Sequence, residues 1–110
     1  MTDMILCYIT CESEKQAKEI SKHLIENKLC ACVNIFSNMQ SMLFWPPKSG
    51  KLIETNEFVI IAKTIESKYK DLESEVKKIH SYEIPCIFSI PVTNVDQNYF
   101  NWLINELKND

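Results

Sequence analysis

Two stretches rich in β-forming residues, Cys30–Trp45 and Lys51–Ile65, flank the segment Pro46-Pro47-Lys48-Ser49-Gly50. Consecutive prolines remove backbone donors and glycine frees the backbone, so that segment reads as a turn. The flanking stretches then form a hairpin with a bend near Ser37-Asn38. At 3.3 Å per residue, a strand of about 15 residues reaches on the order of 50 Å. A helix of about 14 residues spans only about 21 Å. The hairpin must therefore project beyond any helical cover this chain can supply. Its outer part nevertheless carries Met39, Met42, Leu43, Phe44 and Trp45. Left in water, that ribbon would be apolar with open edges, which favours aggregation. Another subunit that receives it resolves the conflict, so Met42, Phe44 and Trp45 are expected at an oligomer interface.

The remaining elements follow from periodicity. Met4–Ile9 is a short apolar run that reads as a central strand. Ser13-Glu14-Lys15-Gln16 matches a capping box, and Ala17, Ile20 and Leu24 continue at helical spacing, predicting a helix over 14–27. Ser67 is the cap candidate for a second helix, striped by Tyr69, Leu72, Val76 and Ile79. Ile84–Pro91 predicts the last core strand. Asn94 or Asp96 caps a final helix lined by Tyr99, Leu103 and Leu107. The order βαββαβ with a terminal helix predicts an α+β, ferredoxin-like sandwich with an extended β2–β3 hairpin, as one domain over 1–110. A length of 110 residues suits a single core.

Composition narrows the function. The 12 basic residues are all lysines against 15 acidic ones, a net charge of −3. Without arginine there is no bidentate phosphate surface, so nucleic acid is not expected as a partner. No apolar run approaches the roughly 20 residues of a membrane span. No secretion signal is read at the N-terminus, so a cytoplasmic location with reduced thiols is expected. Cys7, Cys11, Cys30, Cys32 and Cys86 read mainly as small buried hydrophobes. Cys30-x-Cys32 is one residue short of the C-x-x-C pattern. His80, Tyr82 and Glu83 place an imidazole, a phenol and a carboxylate within four residues, a set suited to a hard or borderline cation or a polar ligand. His80 and Glu83 are thus the candidate metal ligands. His23 lies off the apolar stripe of its helix and reads as solvated.

The chain resembles the CutA divalent-cation tolerance proteins. Carrying this are Leu29-Cys30-Ala31-Cys32-Val33-Asn34, the Trp45…Gly50-Lys51 turn, Glu57 with the apolar run to Lys63-Thr64, His80-Ser81-Tyr82-Glu83-Ile84-Pro85, Pro91-Val92 and Tyr99-Phe100-Asn101-Trp102. The resemblance implies a non-enzymatic, cytosolic homotrimer linked to copper and other divalent metals. It also implies that Lys63, Glu57 and Tyr82 contribute to an intersubunit ligand pocket, and it leaves room for a protein partner. Three departures stand out. Pro46-Pro47-Lys48-Ser49 lengthens the Trp-x-Gly turn, and Ser81 replaces a proline. The positions credited with copper in some members, a cysteine and a His-His pair, hold Ile9, Ile79 and His80. Cys7 and Cys11 flank Ile9 on the same side of a regular strand and are the candidate substitutes. The alternative is a PII-like signalling trimer that senses a small molecule. No acylphosphatase arginine, ribonucleoprotein motif or hydrolase spacing is present to suggest an enzyme or an RNA binder.

Overall fold

A computed structural model describes residues 2–108; Met1, Asn109 and Asp110 lie outside the described residues. The order is β1 (Met4–Cys11), α1 (Glu14–Glu26), β2 (Cys32–Phe44), β3 (Leu52–Ile65), α2 (Tyr69–Ile79), β4 (Ile87–Pro91) and α3 (Gln97–Glu106). The four strands form one sheet in the order β2-β3-β1-β4, every neighbouring pair antiparallel. This is the predicted α+β, ferredoxin-like arrangement.

Strand alternation sorts β1 between two layers. Ile5, Cys7, Ile9 and Cys11 pack with Ala17, Ile20 and Leu24 of α1 and Leu72 and Val76 of α2. Met4 and Leu6 turn to the opposite face, where Leu103 and Leu107 cover them. That cover reaches only one end of the face. Farther along, Tyr8 stacks on Phe88 with ring centroids 4.8 Å apart. Phe88 and Ile90 remain exposed there.

Local chemistry sets the element ends. Ser13 Oγ accepts from Gln16 N–H at 3.1 Å, the expected cap of α1. The Gln16 side chain does not reach back to complete a box; its Oε1 lies 3.0 Å from Ser81 Oγ. Ser67 does not cap α2. It sits inside a 3-10 turn, Glu66–Lys68, and the helix starts without a side-chain cap. The cause is a tether: Glu66 N–H donates to Asp3 O at 2.8 Å, which tightens the chain before it enters the helix. Asp96, not Asn94, caps α3 by accepting from Tyr99 N–H at 3.0 Å. The last strand begins at Ile87 rather than Ile84. Pro85 offers no donor there, and the chain before it is held in another arrangement by His80.

The hairpin behaves as its length requires. β1 pairs with β3 only as far as Cys11↔Phe58, so β3 from Glu57 to Leu52 pairs with β2 alone. This overhang lies in a molecule whose extents are 47 × 26 × 23 Å. The predicted bend is a β-bulge between the pairs Phe36↔Val59 and Met39↔Glu57, with Asn38 at φ 59°. Beyond it Met42, Phe44 and Leu52 are 62%, 61% and 58% exposed. His23 is not free in solvent: its Nε2 lies 2.8 Å from Glu75 Oε1, joining α1 to α2.

Candidate ligand-binding cleft

The cleft lies where the overhang leaves the body of the sheet. On β3 the alternation places Glu57 on the face that carries Val59, the partner of Thr10 on β1. The third wall is the segment after α2. His80 caps that helix, its N–H donating to Val76 O at 2.9 Å, and its backbone then turns extended. Its ring staples the segment to the sheet. Nε2 donates to Thr10 O at 2.7 Å, and Nδ1 accepts from Tyr82 N–H at 3.0 Å. A carbonyl and an N–H on opposite nitrogens assign the neutral Nε2–H tautomer. Tyr82 is thereby swung over Glu57, and its hydroxyl donates to Glu57 Oε2 at 2.9 Å.

The result is a cleft of ≈ 400 Å³. Leu43, Trp45, Ile53 and Ile84 supply apolar walls; Glu57, Tyr82, Thr10, Glu12 and Cys86 supply the polar groups. Glu57 is only 9% exposed. Its Oε1 has no partner, and no lysine or histidine pairs with it, among the described residues. Burial, and then the bond to the Glu57 carboxylate, push the Tyr82 phenol well above its ordinary value, so it stays a neutral donor. Burial likewise raises the Cys86 thiol, against a lowering bond with Thr10.

The structure thus brings His80, Tyr82 and Glu57 together, with roles apart from metal ligation for the first. Both ring nitrogens of His80 are engaged, so the ring as folded offers no lone pair to a cation. Glu83 is exposed and does not line the cleft. Lys63 is elsewhere: its Nζ lies 5.8 Å from the centre of the Tyr99 ring. At 3.3 Å per residue along β3, Lys63 and Glu57 stand about 20 Å apart. Trp45 faces the cleft, whereas Met42 and Phe44 alternate with Leu43 and point to the other side of the hairpin. Thr10 and Glu12 were not singled out from the sequence, and Cys86, read there as a small buried hydrophobe, is exposed. The alternation Tyr8, Thr10, Glu12 carried the signal for the first two, but only the tertiary approach of the 80–86 segment gives it meaning.

The donors of one chain do not by themselves complete a metal site. Among the described residues no three His, Cys, Asp or Glu side chains meet in a group that could hold an ion. Cys7 and Cys11 do not replace the missing copper ligands. Both are wholly buried on the helix side, and burial, with Glu66 adding, pushes Cys7 up to about 12. A thiol so protonated in an apolar layer is an inert core residue.

No helix among the described residues is long and apolar enough to cross a membrane. A sequence profile of the CutA1 divalent ion tolerance protein matches residues 5–106. The divalent-cation tolerance protein CutA of Thermotoga maritima is 42% identical over 100 residues, covering 91% of this chain and 95% of its own. The crystal structure of the divalent ion tolerance protein CutA1 from Ehrlichia chaffeensis superposes with a TM-score of 0.90 at 32% identity, covering 98% of both chains. The structure of the Archaeoglobus fulgidus divalent cation tolerance protein CutA, described as periplasmic, gives 0.90 at 37% identity over 96% of this chain and 99% of that one. These names describe metal tolerance and are not names of enzymes. With the family profile spanning nearly every element of the fold, the chain belongs to the CutA1 divalent ion tolerance family.

Proposed function

We propose that the protein acts as a non-enzymatic homotrimer in the response to divalent cations, copper among them, and that each cleft is a cation site at a subunit boundary. The observation that carries this reading is the overhang. Its apolar residues are more than half exposed on one side, and on the other side they wall a cleft floored by a buried carboxylate. A neighbouring copy laid on the hairpin would cover the first and bound the second. Glu57 is then the inward anion and Tyr82 its orienting donor. One chain lacks a full ligand set, so a metal ion would need donors from the neighbour, and Lys63 could approach a Glu57 only in another copy. Five unpaired thiols support a reducing, cytoplasmic setting. Two carboxylates in the cleft and no arginine work against a PII-like phosphate ligand.

Light scattering tests the assembly: the expected mass is three times the 12.9 kDa chain, and a monomer at micromolar concentration overturns it. Calorimetric titration with Cu²⁺ and Zn²⁺ tests the site. Saturable heat that disappears in Glu57→Gln is expected; equal heat from both proteins removes Glu57 from it.

A further inference from the structure

We infer that residues 80–82 form a strap that couples Glu57 on β3 to the first turn of α1, so that a charge drawing Glu57 away from Tyr82 is registered in the helix layer. The inference rests on reading Glu57 as the anion of a cation site and adds how occupancy of that site is transmitted.

The strap is defined by what holds it. Among the described residues, 81–85 make no backbone–backbone hydrogen bond. The segment is tied at one end by His80 N–H to Val76 O, and at the other by Thr10 N–H to Cys86 O at a long 3.4 Å. Pro85 has no N–H to offer. Side chains hold what lies between, and three consecutive ones reach three different parts of the fold. His80 Nε2 donates to Thr10 O on β1. Ser81 Oγ lies 3.0 Å from Glu12 Oε1 and 3.0 Å from the Gln16 amide of α1. The Tyr82 hydroxyl donates to Glu57 on β3. A segment secured in this way opens at a lower free energy than the sheet and helices it bridges.

Ser81 is the joint to α1. A hydroxyl carries one hydrogen, which goes to the charged acceptor, Glu12; the Gln16 amide, turned over, then presents its nitrogen to the Ser81 oxygen. Gln16 is fixed at its own backbone, where its N–H donates to the cap Ser13 Oγ. The run Gln16–Ser81–Glu12 therefore ties the strap to the start of the helix.

The anchors are not independent. Consecutive Cα atoms stand about 3.8 Å apart, so Ser81 has little slack between its neighbours. The His80 and Tyr82 rings pack with centroids 4.8 Å apart, and His80 Nδ1 accepts from Tyr82 N–H. Anchors on one short backbone keep each other near their partners, so the loss of one lowers the effective concentration of the rest. The strap is thus one element with an anchored and a released arrangement, and Glu57 and Gln16 bias the same equilibrium from opposite ends.

Amide NMR on the full protein tests the coupling through two reporters, the backbone N–H of residue 82 and the side-chain amide of Gln16. Tyr82→Phe removes a hydroxyl that contacts neither reporter and leaves the charge unchanged. It is expected to speed exchange of the residue-82 N–H about tenfold and to shift the Gln16 side-chain resonances. In the reverse direction, Ser81→Ala should speed exchange at residue 82. Gln16 resonances that stay in place in Tyr82→Phe overturn the proposal, as does unchanged residue-82 exchange in Ser81→Ala; the second variant alters only an exposed hydroxyl, so folding does not limit it. Zn²⁺ added to the wild type should move both reporters as Tyr82→Phe does, and in Ser81→Ala it should move the residue-82 N–H alone. Silence toward Zn²⁺ while both variants behave as expected removes the cation site and leaves the coupling. Saturable Zn²⁺ binding with Gln16 unmoved removes the coupling and leaves the cation site.

Discussion

Tyr82 holds its hydroxyl 2.9 Å from a carboxylate that is almost wholly withdrawn from water. Losing the sole donor to a buried acceptor costs the desolvation of that acceptor, about 1–3 kcal/mol. Tyr82→Phe is therefore expected to lower the urea midpoint at an unchanged slope, read at fixed protein concentration because assembly shifts stability. The same bond predicts an alkaline limit. Tyr82 is raised above its ordinary 10.0 by burial and by Glu57, and Tyr69 is raised to about 12 by burial and its bond to Glu73. An acid whose folded value lies above its unfolded one stabilises the fold fully below the unfolded value, and that stability is lost as pH climbs through the folded one. Stability should thus fall from about pH 10 upward, and Tyr82→Phe should fall less steeply over that interval, as followed by far-UV circular dichroism. Glu57, Tyr82 and His80 were recognisable by residue type. Their roles were not, because the partners of His80 are a carbonyl on β1 and an N–H two residues on, and neither is encoded in the identity of a side chain.

At the scale of the elements, the bulge at Ser37–Asn38 bends β2 where the hairpin outruns its pairing with β1. Asn38 sits at φ 59°, a left-handed conformation that asparagine tolerates and β-branched residues resist. Asn38→Val should destabilise the protein by about 1–2 kcal/mol, while Asn38→Gly should unfold close to wild type. A loss of similar size from both would show that the asparagine side chain, not its backbone, carries the position. The bend was legible because small polar residues interrupt a long β-forming run. The start of α2 was not, since the tether of Glu66 N–H to Asp3 O joins segments far apart in the chain. His23 illustrates the same gap: from its own helix it looks solvated, and the carboxylate that meets it belongs to α2.

Over the whole molecule, the balance between core and overhang governs behaviour. The body is closed on the helix side by residues with no exposure, such as Ile9, Ile20 and Leu72, whereas Met42, Phe44 and Leu52 of the hairpin stay more than half exposed. Met42→Glu with Phe44→Glu places two charges on that ribbon, and burying an unpaired charge at an interface is strongly unfavourable. The pair is expected to reduce the mass seen by light scattering while the circular dichroism of the body persists; an unchanged mass would put the interface elsewhere. By itself the sequence determined the order of elements and the excess length of the hairpin, because periodicity and chain length are local quantities that no distant contact alters. Only the tertiary structure decided that Tyr82 meets Glu57, that Lys63 stands apart from them and that Cys7 and Cys11 are sealed in the core. Those facts depend on register and on the return of the 80–86 segment across β1, contacts between residues that lie tens of positions apart and carry no mark of one another.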